Sequence, residues 1–229
     1  MAVIVVYCDG LCEPRNPGGT ATYGWVAYVN GEKIHEECAV VCSGSGATNN
    51  VAEYSAVIAA LEWLVKEGYA KEPVKVRSDS QLCMYQLSGV YAVRSERIRP
   101  LYEKARALSR KFRKVTFEWV PRENNQVADA LSRKAYADYH AQLSFGAARA
   151  AALAEREVKA REIVGNVTHL QGSRYKVASQ SEPGLFYVVD VQKNSCGCPD
   201  FVARGKEIGA CKHLLAVKMY REKVGAAVL

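Results

Sequence analysis

No stretch of the 229-residue sequence stays apolar for the ~20 residues that a membrane-spanning helix needs. The apolar start from Ala2 to Cys8 has no basic residue before it and stops at the carboxylate of Asp9, so it reads as a strand rather than a signal segment. A soluble, cytoplasmic protein is therefore expected. A disulfide framework is equally lacking: of eight cysteines, Cys8, Cys12, Cys38, Cys42 and Cys83 are scattered without a repeating spacing. Proline is absent from Ala130 to Ile163, a span rich in Ala, Arg and Glu that reads as helix, with Gly146 as its expected break.

What is present is ordinary globular composition, 49% hydrophobic and 24% charged, enough for one domain of ~150 residues and a smaller one. The net charge of +7 is uneven, with 13 basic against 8 acidic residues after His140. A second concentration, nine Lys or Arg against two Glu, runs from Arg94 to Lys114. Solvated helix faces routinely carry such charge, and it also suits a polyanion such as nucleic acid.

Val3–Asp9, Thr22–Asn30 and Lys33–Ser43 are rich in β-branched and aromatic residues, and Asn30-Gly31 between the last two is a hairpin signal. From Asn50 to Val65, apolar residues recur at helical spacing (Tyr54, Val57, Ile58, Leu61). A strand over Val74–Arg77, helices over Gln81–Leu87 and Ile98–Phe112, a strand over Val115–Val120 and a helix from about Val127 complete the order βββαβααβα. That order predicts an α/β fold with a mixed five-stranded sheet and helices packed against it. Three short strand-like runs, Val167–Gln171, Tyr175–Ser179 and Leu185–Val191, mark a second, small β-containing module. The expected division is 1–140, a helical linker over 141–164, and 165–229.

Four carboxylates fall at the ends of these elements. Asp9 closes the first strand, Glu53 sits in the first turn of the first helix, Asp79 ends the fourth strand and Asp129 opens the last helix. Hydrolysis of a phosphodiester assisted by two divalent ions ~4 Å apart needs several acids converging from different elements, and hard Mg²⁺ prefers their oxygens. Taken singly, each acid has a structural reading. Asn50-x-x-Glu53 fits a variant capping box, Asp79 an N-cap, Asp129 a favourable first-turn charge, and Asp9-Gly10 a turn. Their joint order favours the metal reading.

The segments Tyr7-Cys-Asp-Gly10, Asn16-Pro-Gly-Gly19, Thr48-Asn-Asn-Val-Ala-Glu-Tyr54, Ser78-Asp-Ser-Gln81 and Trp119-Val-Pro-Arg-Glu-Asn-Asn-Gln-Val-Ala-Asp-Ala-Leu131 resemble the type 1 ribonuclease H (ribonuclease HI) family, in its archaeal and bacterial branch, over about residues 1–140. The resemblance implies an endonuclease that cuts the RNA strand of RNA/DNA hybrids and leaves 5′-phosphate and 3′-hydroxyl ends. It also implies that Asp9, Glu53, Asp79 and Asp129 hold two Mg²⁺ or Mn²⁺ ions. Asn16, Asn50 and Gln81 match positions that contact the RNA strand near its 2′-hydroxyls, and Thr48 one that holds a DNA phosphate. The loop that often carries a histidine reads Pro121-Arg122-Glu123 here, which makes Arg122 the stand-in. A guanidinium is no base at neutral pH, so it would engage a phosphate or the departing product. The short region Leu87–Pro100 leaves Arg94, Arg97 and Arg99 to replace a basic protrusion that some relatives carry. Double-stranded RNA stays open as a second substrate.

In the small module, Cys196-x-Cys198-x12-Cys211-x-His213 offers three thiolates and an imidazole, a closed set suited to structural Zn²⁺. Buried thiols beside a surface histidine are the plain alternative. With its flanking strands and Lys212-His-Leu-Leu-Ala-Val217, the module resembles a SWIM-type zinc finger over about residues 165–220. The resemblance implies binding to nucleic acid first and to a protein partner second. For the whole chain, two other classes compete with the nuclease: a catalytically silent binding module, disfavoured because all four acid positions are filled, and a transposase or integrase, which places its glutamate on a later helix.

Overall fold

In the computed structural model, which describes residues 3–226, the chain divides into two compact units, residues 1–141 and 142–229. The first contains β1 (Ile4–Glu13), β2 (Thr20–Val29), β3 (Glu32–Ser43), α1 (Asn49–Lys66), β4 (Pro73–Ser78), α2 (Gln81–Leu87), α3 (Arg99–Ser109) and β5 (Lys114–Trp119). The start of α4 (Gln126–Ile163) also belongs to it. The sheet order is β3-β2-β1-β4-β5, with β1, β2 and β3 antiparallel and β1, β4 and β5 parallel, the mixed five-stranded sheet that the order of elements predicts.

Alternation in β1 places Ile4, Val6 and Cys8 in the core, where they join Trp25, Ala27, Val74 and Val76 from the neighbouring strands. α1 covers this face with Tyr54, Val57, Ile58, Leu61 and Leu64, and α2 and α3 add Met84, Leu87, Ala105 and Leu108. Each large side chain removed from water in this way contributes roughly 1.5–3 kcal/mol. The β2–β3 turn has Asn30 and Gly31 both at positive φ (53° and 89°), the conformation that makes Asn-Gly a hairpin signal.

Two expectations need correction. β1 does not close at Asp9; it continues to Glu13, because antiparallel pairing with β2 runs unbroken from Ile4↔Val29 to Glu13↔Thr20. Parallel pairing with β4 covers only Ile4 to Tyr7, so Asp9 lies where β1 has outrun that neighbour. Gly146 does not break the helix either, since α4 runs through it. A glycine inside a helix costs about 1 kcal/mol, which its helix-forming neighbours offset.

The second unit contains the remainder of α4 with β6 (Val167–Gln171), β7 (Arg174–Ala178), β8 (Phe186–Asp190), β9 (Ser195–Cys196), α5 (Pro199–Ile208) and α6 (Lys212–Ala226). Its sheet has the order β6-β7-β8-β9. Helical residues 142–163, expected to be a linker, pack into this unit instead: Ala160 and Ile163 join Val177, Val189, Leu214 and Val217 in its core. Arg156, also in this stretch, is buried and holds Asp200 with two bonds of 2.7 and 2.9 Å. A small sheet has too little apolar surface for a core of its own, and the helix supplies a face for it. No helix among the described residues is long and apolar enough to cross a membrane.

Candidate active site

Asp9, Glu53 and Asp79 each offer a carboxylate oxygen, and these oxygens lie within 4.8 Å of one another. Three elements create the approach. Asp9 projects from β1 just past the end of its pairing with β4, and Asp79 follows the last residue of β4. Glu53 comes from the second turn of α1 rather than the expected first, because the helix starts at Asn49, capped by Thr48, which accepts a hydrogen bond from the Val51 amide at 3.1 Å. Gly10 lets α1 come this close, because a Cβ there would sit 2.2 Å from the Glu53 amide nitrogen.

α4 is brought in by a second close approach. Gly24 on β2 faces Asp9 across the strand pair, and a Cβ on it would sit 2.4 Å from Cβ of Leu131 and 2.5 Å from the Ser132 nitrogen. Through this gap the buried Ser132 hydroxyl donates to the Asp9 carboxylate, while Thr22 donates to the Ser132 carbonyl at 2.9 Å. Asn125, 1% exposed, uses its amide to tie two strands together, donating to the Cys8 carbonyl at 2.9 Å and to Asp79 Oδ1 at 2.8 Å. The Trp119 indole, 43% exposed, donates to the Asp79 carbonyl at 3.1 Å. The Ser78 hydroxyl donates to Glu53 at 3.1 Å.

The site is electrostatically loaded. Burial pushes the Asp9 carboxyl up to about 6; the Ser132 hydrogen bond opposes this and the charges of Asp79 and Asp129 add to it. Burial, followed by the charges of Asp9 and Asp79, holds Glu53 well above the ordinary carboxylate range. Crowded acids without an intervening cation are the donor set that a hard divalent ion fits, and its charge would remove the penalty.

Asp129 stands outside the trio. Although burial acts to raise it, hydrogen bonds from Arg133 and Arg122 hold its carboxyl below the ordinary range. Arg122 donates to Oδ1 at 2.7 Å and Arg133 to Oδ2 at 2.9 Å, and Arg133 reaches Glu13 at 3.7 Å. The structure thus gathers three of the four expected acids and places Arg122 against the fourth. Asn16, Thr48 and Asn50 line one concavity together with Pro17, Ser95 and Arg97. Asn16 Oδ1 accepts from the Asn49 amide at 3.1 Å. Gln81 is exposed as the first residue of α2, two positions beyond Asp79. Sequence reasoning missed Ser132 and Asn125. The one available signal was Asn125 lying in the same loop as Arg122.

In the second unit, Cys196, Cys198, Cys211 and His213 are all buried, with ligand atoms within 4.8 Å of one another. Neither ring nitrogen of His213 has a hydrogen-bond partner, and both are shut off from solvent. Hydrogen bonds from Cys196 and Cys211 hold the Cys198 thiol well below its ordinary value, while Cys196 and Cys211 are raised, so the three share one thiolate held between two thiols. Buried imidazole nitrogens left unpaired are costly, and a tetrahedral ion such as Zn²⁺ fits this donor set.

Comparison with known proteins places the first unit in context. The chain matches the reverse transcriptase-like family over residues 8–135. Ribonuclease HI of Halobacterium salinarum is 37% identical over 136 residues, which cover 58% of this chain and 63% of that protein. A bifunctional protein of Mycobacterium tuberculosis is 37% identical over 135 residues, 35% of its own length. The chain thus spans about a third to two thirds of the length of these two relatives. The crystal structure of ribonuclease H1 from H. salinarum is 34% identical, with a TM-score of 0.54, over 59% of this chain and 98% of that one. The structure of LC11 ribonuclease H1 in complex with an RNA/DNA hybrid is also 34% identical, with a TM-score of 0.53, over 58% of this chain and 95% of that one. The mixed sheet with flanking helices is the ribonuclease H fold.

Proposed function

We propose, from the premise that the chain belongs to the reverse transcriptase-like family, that its first unit is a ribonuclease H that hydrolyses the RNA strand of RNA/DNA hybrids. The observation that carries the reading is the convergence of Asp9, Glu53 and Asp79. Similarity to ribonucleases H of known structure supports it.

In this reading Asp9, Glu53 and Asp79 hold Mg²⁺ or Mn²⁺, and Asp129 completes a two-ion site once it exchanges its arginine partners. Bound ions would supply an activated water and offset the charge gathering on the phosphate. Ser132 and Asn125 keep Asp9 and Asp79 in place, so that little reorganisation is left to the reaction. The water oxygen bonds to phosphorus in line as the bond to the 3′-oxygen breaks, leaving 3′-hydroxyl and 5′-phosphate ends. Arg122, released from Asp129, engages the phosphate of the strand or product. Asn16, Asn50 and Gln81 read the 2′-hydroxyls, and Thr48 contacts a DNA phosphate through the hydroxyl proton that its capping bond leaves free. These contacts are to sugar and backbone, so cleavage is largely independent of sequence.

The second unit we read as a SWIM-type zinc module that binds nucleic acid, on the strength of its Cys₃His set and its excess of basic residues. The test of the nuclease reading compares labelled RNA/DNA hybrid, double-stranded RNA and double-stranded DNA with Mg²⁺ or Mn²⁺, for the native chain and for Asp79→Asn. Hybrid cleavage by the native chain and a loss of at least about a thousandfold in the variant are expected, as for removal of a group that acts at the transition state. Equal activity in both, or no cut hybrid, overturns the reading.

A further inference from the structure

The second unit has a cleft of about 400 Å³ beside its Cys₃His cluster. Arg156 and Lys159 of α4, Ser179 and Ser181 of the β7–β8 loop, Arg204 of α5 and Lys212 of α6 line it. Two acids share the lining, Glu155 and Asp200. Asp200 is committed to the buried Arg156 by the bidentate pair, so that side chain is structural. Arg204 touches Asp200 at 3.1 Å and Lys159 touches Glu155 at 2.6 Å, both as pairs four residues apart with largely exposed cations. Such surface pairs are worth at most about 1 kcal/mol and exchange readily for another anion. The Lys212 ammonium donates to the neutral amide oxygen of Gln180 and has no carboxylate partner among the described residues.

The cleft therefore has more donors than acceptors. Three cations with exchangeable or neutral partners line it together with Tyr187 and two serines whose hydroxyls lie 3.3 Å apart, an exposed pair that can exchange one bond for a ligand. Ala152, Pro199 and Tyr187 give it an apolar side, and Arg, Lys, Ser, Asp and Glu form the rest of the wall. Charged donors with hydroxyls beside them are the group set that grips phosphodiester oxygens, and an aromatic ring adjacent suits an unpaired base. We infer that this cleft is where the second unit holds a nucleic-acid strand by its phosphates, with Lys159, Arg204 and Lys212 as the contacts. The inference rests on the reading of the second unit as a nucleic-acid-binding module and gives that binding a location.

The test uses the full chain loaded with zinc, without Mg²⁺ or Mn²⁺, and a labelled 30-base single-stranded DNA, which lacks the 2′-hydroxyls read by the first unit. Lys159→Ala/Arg204→Ala is compared with Arg174→Ala/Lys193→Ala, a pair of exposed cations at the other end of the same sheet. Zinc content, measured for both, confirms that the module is folded. The expected result is a Kd raised about tenfold by the first pair alone, with the dependence of log K on log salt shallower by about 2. Weakening by the second pair and not the first overturns the location while the nucleic-acid reading stands. No effect of either pair overturns both. A polyglutamate peptide that occupies the cleft as tightly as the oligonucleotide also overturns the inference, in favour of an acidic protein partner.

Discussion

Asp9 and Glu53 are carboxylates kept out of water beside a third, and their folded-state affinity for protons is accordingly raised. The consequence for stability has a definite sign. A carboxyl whose pKa rises on folding binds protons more tightly in the native state, so its contribution is most favourable at low pH and is lost as pH rises. For Asp9 the window runs from the unfolded value of about 3.9 to about 6, and Glu53 extends it upward. Divalent ions held by the ionised trio, as proposed, would reverse the penalty. Scanning calorimetry should therefore show Mn²⁺ raising the Tm of the first unit by more at pH 8 than at pH 5, whereas an equal rise at both would contradict the electrostatic account.

At the scale of elements, two glycines fix how near the helices come to the sheet. Gly24→Ala would put a methyl group against Leu131 and Ser132, and the start of α4 has no flexible side chain there to yield. Overpacking of this kind costs about 1–3 kcal/mol. A urea melt should show that loss, with hybrid cleavage falling further because Ser132 leaves Asp9 and Asp129 is displaced; an unchanged rate would mean that α4 does not set the site. Part of this was legible in the sequence. Asp9, Glu53 and Asp79 stand in local motifs, and the strand and helix patterns around them are periodic. Ser132 and Asn125 were not legible, since their partners lie 123 and 117 residues away and no spacing links them. The extension of β1 was missed because Asp9-Gly10 reads as a turn, while pairing with β2 overrides that preference. α5 was overlooked although Cys198-Pro199-Asp200 carries a cap, a proline at the first helical position and a first-turn acid.

For the whole molecule, the two units differ in what holds them together. The first buries a continuous core of large side chains, whereas the second gathers a smaller one around Cys196, Cys198, Cys211 and His213, a set that could hold a metal ion. Binding free energy at such a site is folding free energy. A zinc chelator should therefore abolish the second unit's unfolding transition and leave that of the first in place, and native protein should carry about one zinc per chain. Persistence of both transitions after complete zinc removal would show that the second core suffices without metal. Cys198→Ser should reproduce the effect of the chelator, because Cys198 both belongs to the ligand set and caps α5.

Trp119 gives the carboxylate site a property of a different kind. Trp25 is sealed in the core and Trp63 stacks on His35, but the Trp119 ring faces solvent with its N–H fixed to the carbonyl of Asp79. Its emission is therefore tied to the backbone that presents the Asp79 carboxylate. A paramagnetic ion held at Asp79 would quench this indole, which would give the site an optical gauge of its own occupancy.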